Sequence, residues 1–429
     1  MPCAWTAAPG LVVWRAAPYS WRRVIVSPAL DRIGLMHQHN SRLQVILAGI
    51  SSLVLTLGMA RFAYTPLLPV MQDQTALNDA LGGWIATFNY VGYMLGALIA
   101  ASISDLRLKD SLYRAGLIVA VLSTLGMAWT ENWIIWSLLR FLAGLSSAAG
   151  LLIGSGLILN WLIRHGHKME LGLHFGGVGL GIAFSAVAVE LMLSRFDWAG
   201  QWQIFALLGL VLAVPAWFWL PRPDGHNVTK AGEVLVDNPP SKPWMRLLAL
   251  SYFCAGVGYV ISATFLVVIV ERQPDIQGYG VWVWLAVGLT AAPACIIWDR
   301  IARRIGELQA MLLAFALQIV GIVLPAFEVS ATMLLLSAAL YGGTFIGIVS
   351  LMLTMAGRFY PTRPAKPMGR LTLSYGVGQV VAPALAGSFA EISGSYAGSL
   401  VMAAVVMLMG MGVLWILIRM RRYDTPGDP

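Results

Sequence analysis

Residues 43–68 read LQVILAGISSLVLTLGMARFAYTPLL, an apolar run whose one charge is Arg61. An α-helix needs about 20 apolar residues to cross roughly 30 Å of hydrocarbon, and this run exceeds that length. A strand of a transmembrane barrel would be about 9–11 residues long with alternating polarity; here the run is long and apolar on all sides, so it reads as a membrane-spanning helix. Working outward, runs of the same kind lie near 82–104, 112–129, 134–160, 171–193 and 201–220, then near 245–270, 281–298, 308–327, 332–356, 371–391 and 397–418. The expected fold is therefore an all-α integral membrane protein with twelve transmembrane helices.

The composition excludes an ordinary soluble domain. Of the 429 residues 58% are hydrophobic and 11% charged, against roughly 25% charged in globular proteins, so lipid must cover what polar side chains cannot. The 44 glycines and 17 tryptophans suit closely packed membrane helices with interfacial anchors. The formal net charge of +8 does not point to nucleic acid, because the basic residues fall in short clusters between apolar runs. Cys3, Cys254 and Cys295 form no disulfide framework, and the latter two read as small buried hydrophobes.

Residues 221–244, PRPDGHNVTKAGEVLVDNPPSKPW, are polar and rich in proline and glycine, the composition of a linker. It separates two sets of six spans, 43–220 and 245–420, leaving an extension at 1–42 and a tail at 421–429. Gly96 to Asp105 closes the second span and Gly288 to Asp299 the eighth, each followed by basic residues; Gly177-Val178-Gly179 in span five is matched by Gly376-Val377-Gly378 in span eleven. Such internal repeats are a hallmark of secondary transporters. Of 28 lysines and arginines, all but Arg61, Arg140, Arg195 and Arg272 fall on the side of the termini and linker. The positive-inside rule then places both termini in the cytoplasm. The extension bears Trp5, Trp14 and Trp21 and no spanning run; it reads as disordered, or as lying ahead of a true start at Met36, or as a basic segment on the anionic leaflet.

Arg61 carries the most information. It lies roughly 24 Å along the first span at ~1.5 Å per residue, and a charge there costs about 2.5–3.5 kcal/mol on insertion scales, so it faces the bundle interior. Tyr64 and Thr65 share its face at i+3 and i+4. Pro66 removes a backbone donor and predicts a kink or an end just beyond the arginine. A guanidinium exposed in a cavity there would hold a carboxylate or phosphate; the competing reading is an internal ion pair or bonds to carbonyls. Arg140, with Gly144 at i+4, is expected in a structural or coupling role, with Glu190 as a possible counter-ion. The carboxylates, Glu190, Glu391, Asp105 and Asp299 included, all lie in loops or near span ends, so proton coupling through a central acid has no support. His174 reads as a packing or interfacial residue. Gly176, Gly177, Gly179 and Gly181 lie in one apolar helix and are packing glycines, not a dinucleotide loop; His165 and His167 lack further metal ligands. No catalytic constellation, metal site or cofactor motif appears, so an enzyme is not expected.

Over residues 40–420 the chain resembles the major facilitator superfamily. Gly96, Asp105, Arg107 and Lys109 match that superfamily's loop pattern after span two only loosely, whereas Asp299-Arg300-Ile301-Ala302-Arg303-Arg304 matches it well, and Arg140 with Gly144 resembles its span-four arginine motif. GMARFAYTPLLP at 58–69 and AGVGYVISATFL at 255–266 look like the bacterial YbfB/YjiJ-type branch. The resemblance implies two pseudo-symmetric six-helix bundles around a central cavity that opens alternately to the two sides. Its lining would include Arg61, Tyr64, Thr65, Arg140, Tyr259, Thr264, Tyr341 and Thr344. Asp105, Arg107, Asp299, Arg300 and Arg303 would gate the cytoplasmic side, and Glu190 or Glu391 would serve any coupling. The expected function is secondary transport of a small organic solute, an anion by virtue of Arg61, across the inner membrane by a monomer in contact with lipid. A multidrug or metabolite exporter is the alternative within the class, and a non-transporting membrane sensor or scaffold the alternative outside it.

Overall fold

The computed structural model describes residues 42–165, 171–223, 239–327, 330–359 and 365–424. The expected extension and most of the expected linker lie outside these residues. Twelve long helices follow one another: α1 (Arg42–Gln74), α2 (Asp79–Ser102), α3 (Leu106–Trp129), α4 (Trp133–Leu162), α5 (Leu171–Met192) and α6 (Trp198–Phe218), then α7 (Lys242–Glu271), α8 (Gly280–Ile305), α9 (Glu307–Phe327), α10 (Ala331–Phe359), α11 (Ala365–Ser393) and α12 (Ala397–Asp424). Each set of six forms a bundle. With an even number of spans in each set, the start of α1, the segment between α6 and α7, and the end of α12 share one face, here the linker face.

The starts of these helices are written in the sequence. Asn78, Asp105, Asn132, Asp197 and Ser241 stand just before α2, α3, α4, α6 and α7, and each side chain accepts a hydrogen bond from a free N–H of the first turn. Gly306, at φ 94°, ends α8 in the left-handed region that favours glycine. On the linker face Arg114 of α3 pairs with Asp110 at 3.0 Å and donates to the carbonyls of Trp217 and Leu220. It thereby caps the end of α6 with a positive charge.

Eleven of the helices are long and apolar enough to cross a membrane; α11 is long enough but less apolar. Burial sorts the rest. In its most apolar stretch α7 is 89% buried and α1 and α4 are 72% buried, whereas α6 and α12 are only 33% buried. The latter two expose side chains such as Leu207, Val211, Phe218, Val405 and Met409, the surface expected to meet lipid. The core is thus formed by the first, fourth and seventh helices, with α2, α5, α8, α10 and α11 around them.

The bundles meet along two seams, α2 against α11 and α5 against α8. Each seam is glycine-lined on both sides. A Cβ on Gly83 or Gly387 would collide with backbone across the first seam, and one on Gly179 or Gly288 with backbone across the second. Small residues let helix backbones approach in lipid, where no hydrophobic force draws helices together. The glycines of α5 read as packing residues do pack: Gly177 and Gly181 lie on α1, while Gly176 and Gly179 lie on α8.

Candidate functional site

The sequence predicts that α1 kinks or stops near Pro66. It does neither in the expected way: Val54–Phe62 widens into a π-helix, Ala63 donates to Gly58 at 2.8 Å, and the α-helix resumes from Tyr64 to Gln74. A π-helical turn is a common device at functional sites, and it turns Arg61 inward. Pro66 has no N–H to return to the preceding turn, and a second arginine takes up the nearby carbonyls. Arg140 of α4 donates to the carbonyl of Ala60 at 2.5 Å and to that of Arg61 at 2.8 Å, with its guanidinium over the Tyr64 ring at 4.8 Å. Arg140 is therefore a clamp on the π-to-α junction, and its own carbonyl accepts from Asn89 Nδ2 at 2.8 Å. Glu190 is half-buried and is not its counter-ion, since backbone oxygens occupy both terminal nitrogens.

Arg61 is buried, yet among the described residues no carboxylate lies within ion-pair distance of it. Its guanidinium sits 4.7 Å from the Tyr90 ring centre, 4.6 Å from that of Tyr93 and 5.4 Å from that of Phe62, and its Nε has no hydrogen-bond partner. Cation–π contacts offset part of the cost of burying the charge. Across the bundle interface stands a wall of rings from α7, α10 and α11. Tyr259 stacks on Phe345 at 5.2 Å and on Tyr341 at 6.2 Å, and lies 5.9 Å from Tyr375, which stacks on Tyr252 at 4.5 Å.

A small pocket lies beside the two arginines, lined by Arg61, Phe62, Tyr64, Thr65, Asn89 and Tyr90 together with Arg140 and Thr264. Several expected lining residues are there, but their polar groups are engaged. Tyr64 donates to the carbonyl of Gly82 at 3.0 Å, Thr65 crosses between bundles to the carbonyl of Ala263 at 2.5 Å, and Thr264 bonds back to Val260 at 2.9 Å. Tyr341 donates to the carbonyl of Tyr259 at 2.8 Å, and Thr344 bonds back within α10 to Leu340 and Tyr341. The sequence reading missed Asn89, Tyr90 and Tyr93, which face Arg61 or its cavity from α2, and Tyr375 from α11. Their spacing, with Tyr90 and Tyr93 at i and i+3 in an apolar helix, was the available signal.

At the face away from the linker, one ion pair joins the bundles. Arg272, just past α7, grips Asp79 at the start of α2 with two bonds of 2.5 and 2.6 Å. Gln72 donates to the same carboxylate at 2.8 Å, the Asp79 N–H donates to Glu391 of α11 at 3.1 Å, and Arg272 lies over Tyr396 at 5.6 Å. Burial works against the Arg272 charge, but the hydrogen bond and charge of Asp79 more than offset it and hold the guanidinium above the ordinary arginine range. Glu391, expected in coupling, thus sits in this latch. The expected cytoplasmic gating residues do not bridge the bundles here: Asp105 caps α3 through the N–H groups of Arg107 and Leu108, Asp299 pairs with Arg303 of its own helix at 2.6 Å, and Arg107 and Arg300 are exposed. His174 is buried against Ser155 at 2.9 Å as a packing residue.

Two six-helix bundles that meet on glycine seams, enclose a charged cavity and are latched at one end define a membrane transport protein of the major facilitator type. The family model described as "Uncharacterised MFS-type transporter YbfB" matches residues 53–415, and the chain belongs to that family. It is 24% identical to the MFS-type transporter YceJ of Bacillus subtilis (strain 168), over 82% of this chain and 85% of that protein. It is 22% identical to the gentisate transporter of Corynebacterium glutamicum, over 85% of each. Among solved structures, the nucleoside transporter NupG superposes with a TM-score of 0.66 at 13% identity, covering 88% of this chain and 98% of that one, a likeness of fold.

Proposed function

We propose that this transporter carries a small organic anion across the bacterial inner membrane by alternating access, with Arg61 as the fixed counter-charge of its cargo. The observation that carries this reading is an inequality among the buried arginines. Arg114 has Asp110 and two carbonyls, and Arg140 has two carbonyls, whereas Arg61 has neither a carboxylate nor a carbonyl among the described residues and meets only aromatic side chains, the Tyr90 hydroxyl included. A guanidinium cannot deprotonate in a protein, and a buried charge is normally paired. A ligand carboxylate entering the cavity would complete the pair with the planar fork that arginine offers. The relative from Corynebacterium glutamicum, named for an organic anion, supports the same direction.

In this reading the linker face is cytoplasmic, the Asp79–Arg272 latch seals the outer side, and the structure faces inward. Asp105, Arg107, Asp299, Arg300 and Arg303 close the inner side in the alternate state. The protein works as a monomer in lipid. Reconstituted in proteoliposomes, it should exchange organic acids; Arg61→Gln should abolish binding and flux while Arg61→Lys keeps a residual fraction. Unchanged flux in a folded Arg61→Gln protein would sink the anion reading, and binding without movement would sink the carrier.

A further inference from the structure

Arg61 and Arg140 share one property that their different neighbours conceal. Neither has a carboxylate partner among the described residues, and the Nε of each is buried without a hydrogen-bond partner. Carbonyl oxygens orient Arg140 and rings surround Arg61, but dipoles and π-faces do not neutralise a charge. Arg140 bonds to the carbonyl of Arg61 itself, so the two like charges lie close together, on residues 5% and 2% exposed. We infer that in this state the two arginines hold one monatomic anion, a chloride, in the pocket where α1, α2, α4 and α7 meet. This goes beyond the anion reading above and shares Arg61 with it: chloride keeps the site while the pocket is narrow, and the organic cargo displaces it when the bundles part.

Size selects the ion. The pocket has room for about one water. A carboxylate has three heavy atoms and a phosphate five, so either needs the walls to move apart. A halide is a single atom little larger than a water molecule.

The donors around the pocket agree. The hydroxyls of Thr65 and Thr264 already donate to the carbonyls of Ala263 and Val260, which leaves the arginine Nε–H groups as the strong donors. Asn89 gives one N–H of its amide to the carbonyl of Arg140 at 2.8 Å and has a second. Water is the competing occupant. It would accept from an Nε–H and donate to the unpartnered Oδ1 of Asn89, but it would leave both charges uncompensated. An unpaired buried charge costs more than an unmade hydrogen bond, so the charge decides. A single chloride offsets one of the two charges and, lying between them, also offsets their mutual repulsion; the remainder is spread over the carbonyls of Ala60 and Arg61 and the ring of Tyr64.

The test uses the purified full-length protein in neutral detergent and sodium gluconate, with chloride added at constant ionic strength. Chlorine NMR, whose line broadens as the ion exchanges with a protein site, should show saturable broadening, and the apparent Tm should rise by about 2–4 °C toward saturation. Bromide should compete with chloride and sulfate should not. Arg61→Gln, with folding verified by circular dichroism, should weaken chloride binding roughly tenfold or more, whereas Arg195→Gln, at an exposed arginine outside the pocket, should leave it unchanged. Should Arg61→Gln fail to fold, the size series in the parent protein decides. Broadening that persists in folded Arg61→Gln, a response linear in chloride, or sulfate competing as well as bromide overturns the inference. Chloride without effect while organic acids are exchanged in an Arg61-dependent manner overturns it and leaves the anion reading standing; chloride bound through Arg61 with no organic acid exchanged does the reverse.

Discussion

Arg61 and Arg140 look alike in the sequence, each an arginine in an apolar helix, and the structure gives them opposite roles. Arg140 donates to two backbone carbonyls and holds α1 in its π-helical form, whereas Arg61 makes no bond to a carbonyl or carboxylate among the described residues and is held by aromatic side chains. Arg140→Met should therefore act first on stability: two buried carbonyls lose their donor, at about 1–3 kcal/mol for each group left unmade, which a drop of several degrees in apparent Tm without ligand would reveal. An unchanged Tm would mean that Ala60 and Arg61 find other donors. The importance of Arg61 was legible because a charge in an apolar run has few explanations. The rings about it were not, because Tyr90 and Tyr93 in an apolar helix look like ordinary packing until α1 brings a guanidinium between them. Asn89 was missed for the same reason: its value lies in the bond it gives to the Arg140 carbonyl, which no spacing displays.

At the scale of the helix, spans and caps were readable to within a few residues, since length, hydropathy and Asn, Asp or Ser at the starts are local signals. What Pro66 does to α1 was not. The helix could shed the unsatisfied carbonyls by ending, kinking or widening, and the choice rests on Arg140, which arrives from another helix. The latch was equally hidden, because Asp79 and Arg272 are far apart in the chain and meet only when α2 and α7 are assembled. Breaking it should favour the alternate state. In a variant lacking Cys3, Cys254 and Cys295, a cysteine at Thr264 should react with a membrane-impermeant thiol reagent from the outer side several-fold faster when Asp79→Asn is added, a bias of about 1 kcal/mol giving roughly fivefold. Arg272 is partly exposed, so the effect is modest. The double exchange Asp79→Arg with Arg272→Asp should return the rate toward that of the parent; equal rates in all three proteins would show that the pair holds nothing closed.

For the whole molecule, the two glycine seams decide whether the bundles can move against each other. Gly179 and Gly288 on one seam and Gly83 and Gly387 on the other bring backbone to backbone, a smooth contact without interlocking side chains. Gly288→Val should force α5 and α8 apart, and because that seam joins bundles rather than building one, flux should fall by more than tenfold while each bundle keeps its helices, as circular dichroism would show. Retained flux would mean that the seam opens freely. The pairing of bundles was foreshadowed by the repeated glycine tripeptides, but which glycines meet across the interface depended on helix rotation, a property the sequence carries only weakly.

α11 has one more consequence. Its interior carries Thr372, Ser374, Gln379 and Pro383, and it falls short of the apolar character shared by the other eleven helices. As the chain leaves the ribosome, this segment has little reason to enter lipid by itself. It is accommodated because α7 and α2 already stand beside it, with Thr87 of α2 donating to the carbonyl of Val380. A reporter fused after residue 395 should cross the membrane efficiently when α1–α10 precede it and poorly when α11 is placed alone behind an unrelated membrane anchor; equal crossing would make the helix self-sufficient. The last hairpin of the second bundle thus joins the membrane on a surface that the first bundle helps to provide, and the order of synthesis becomes one of the conditions for folding.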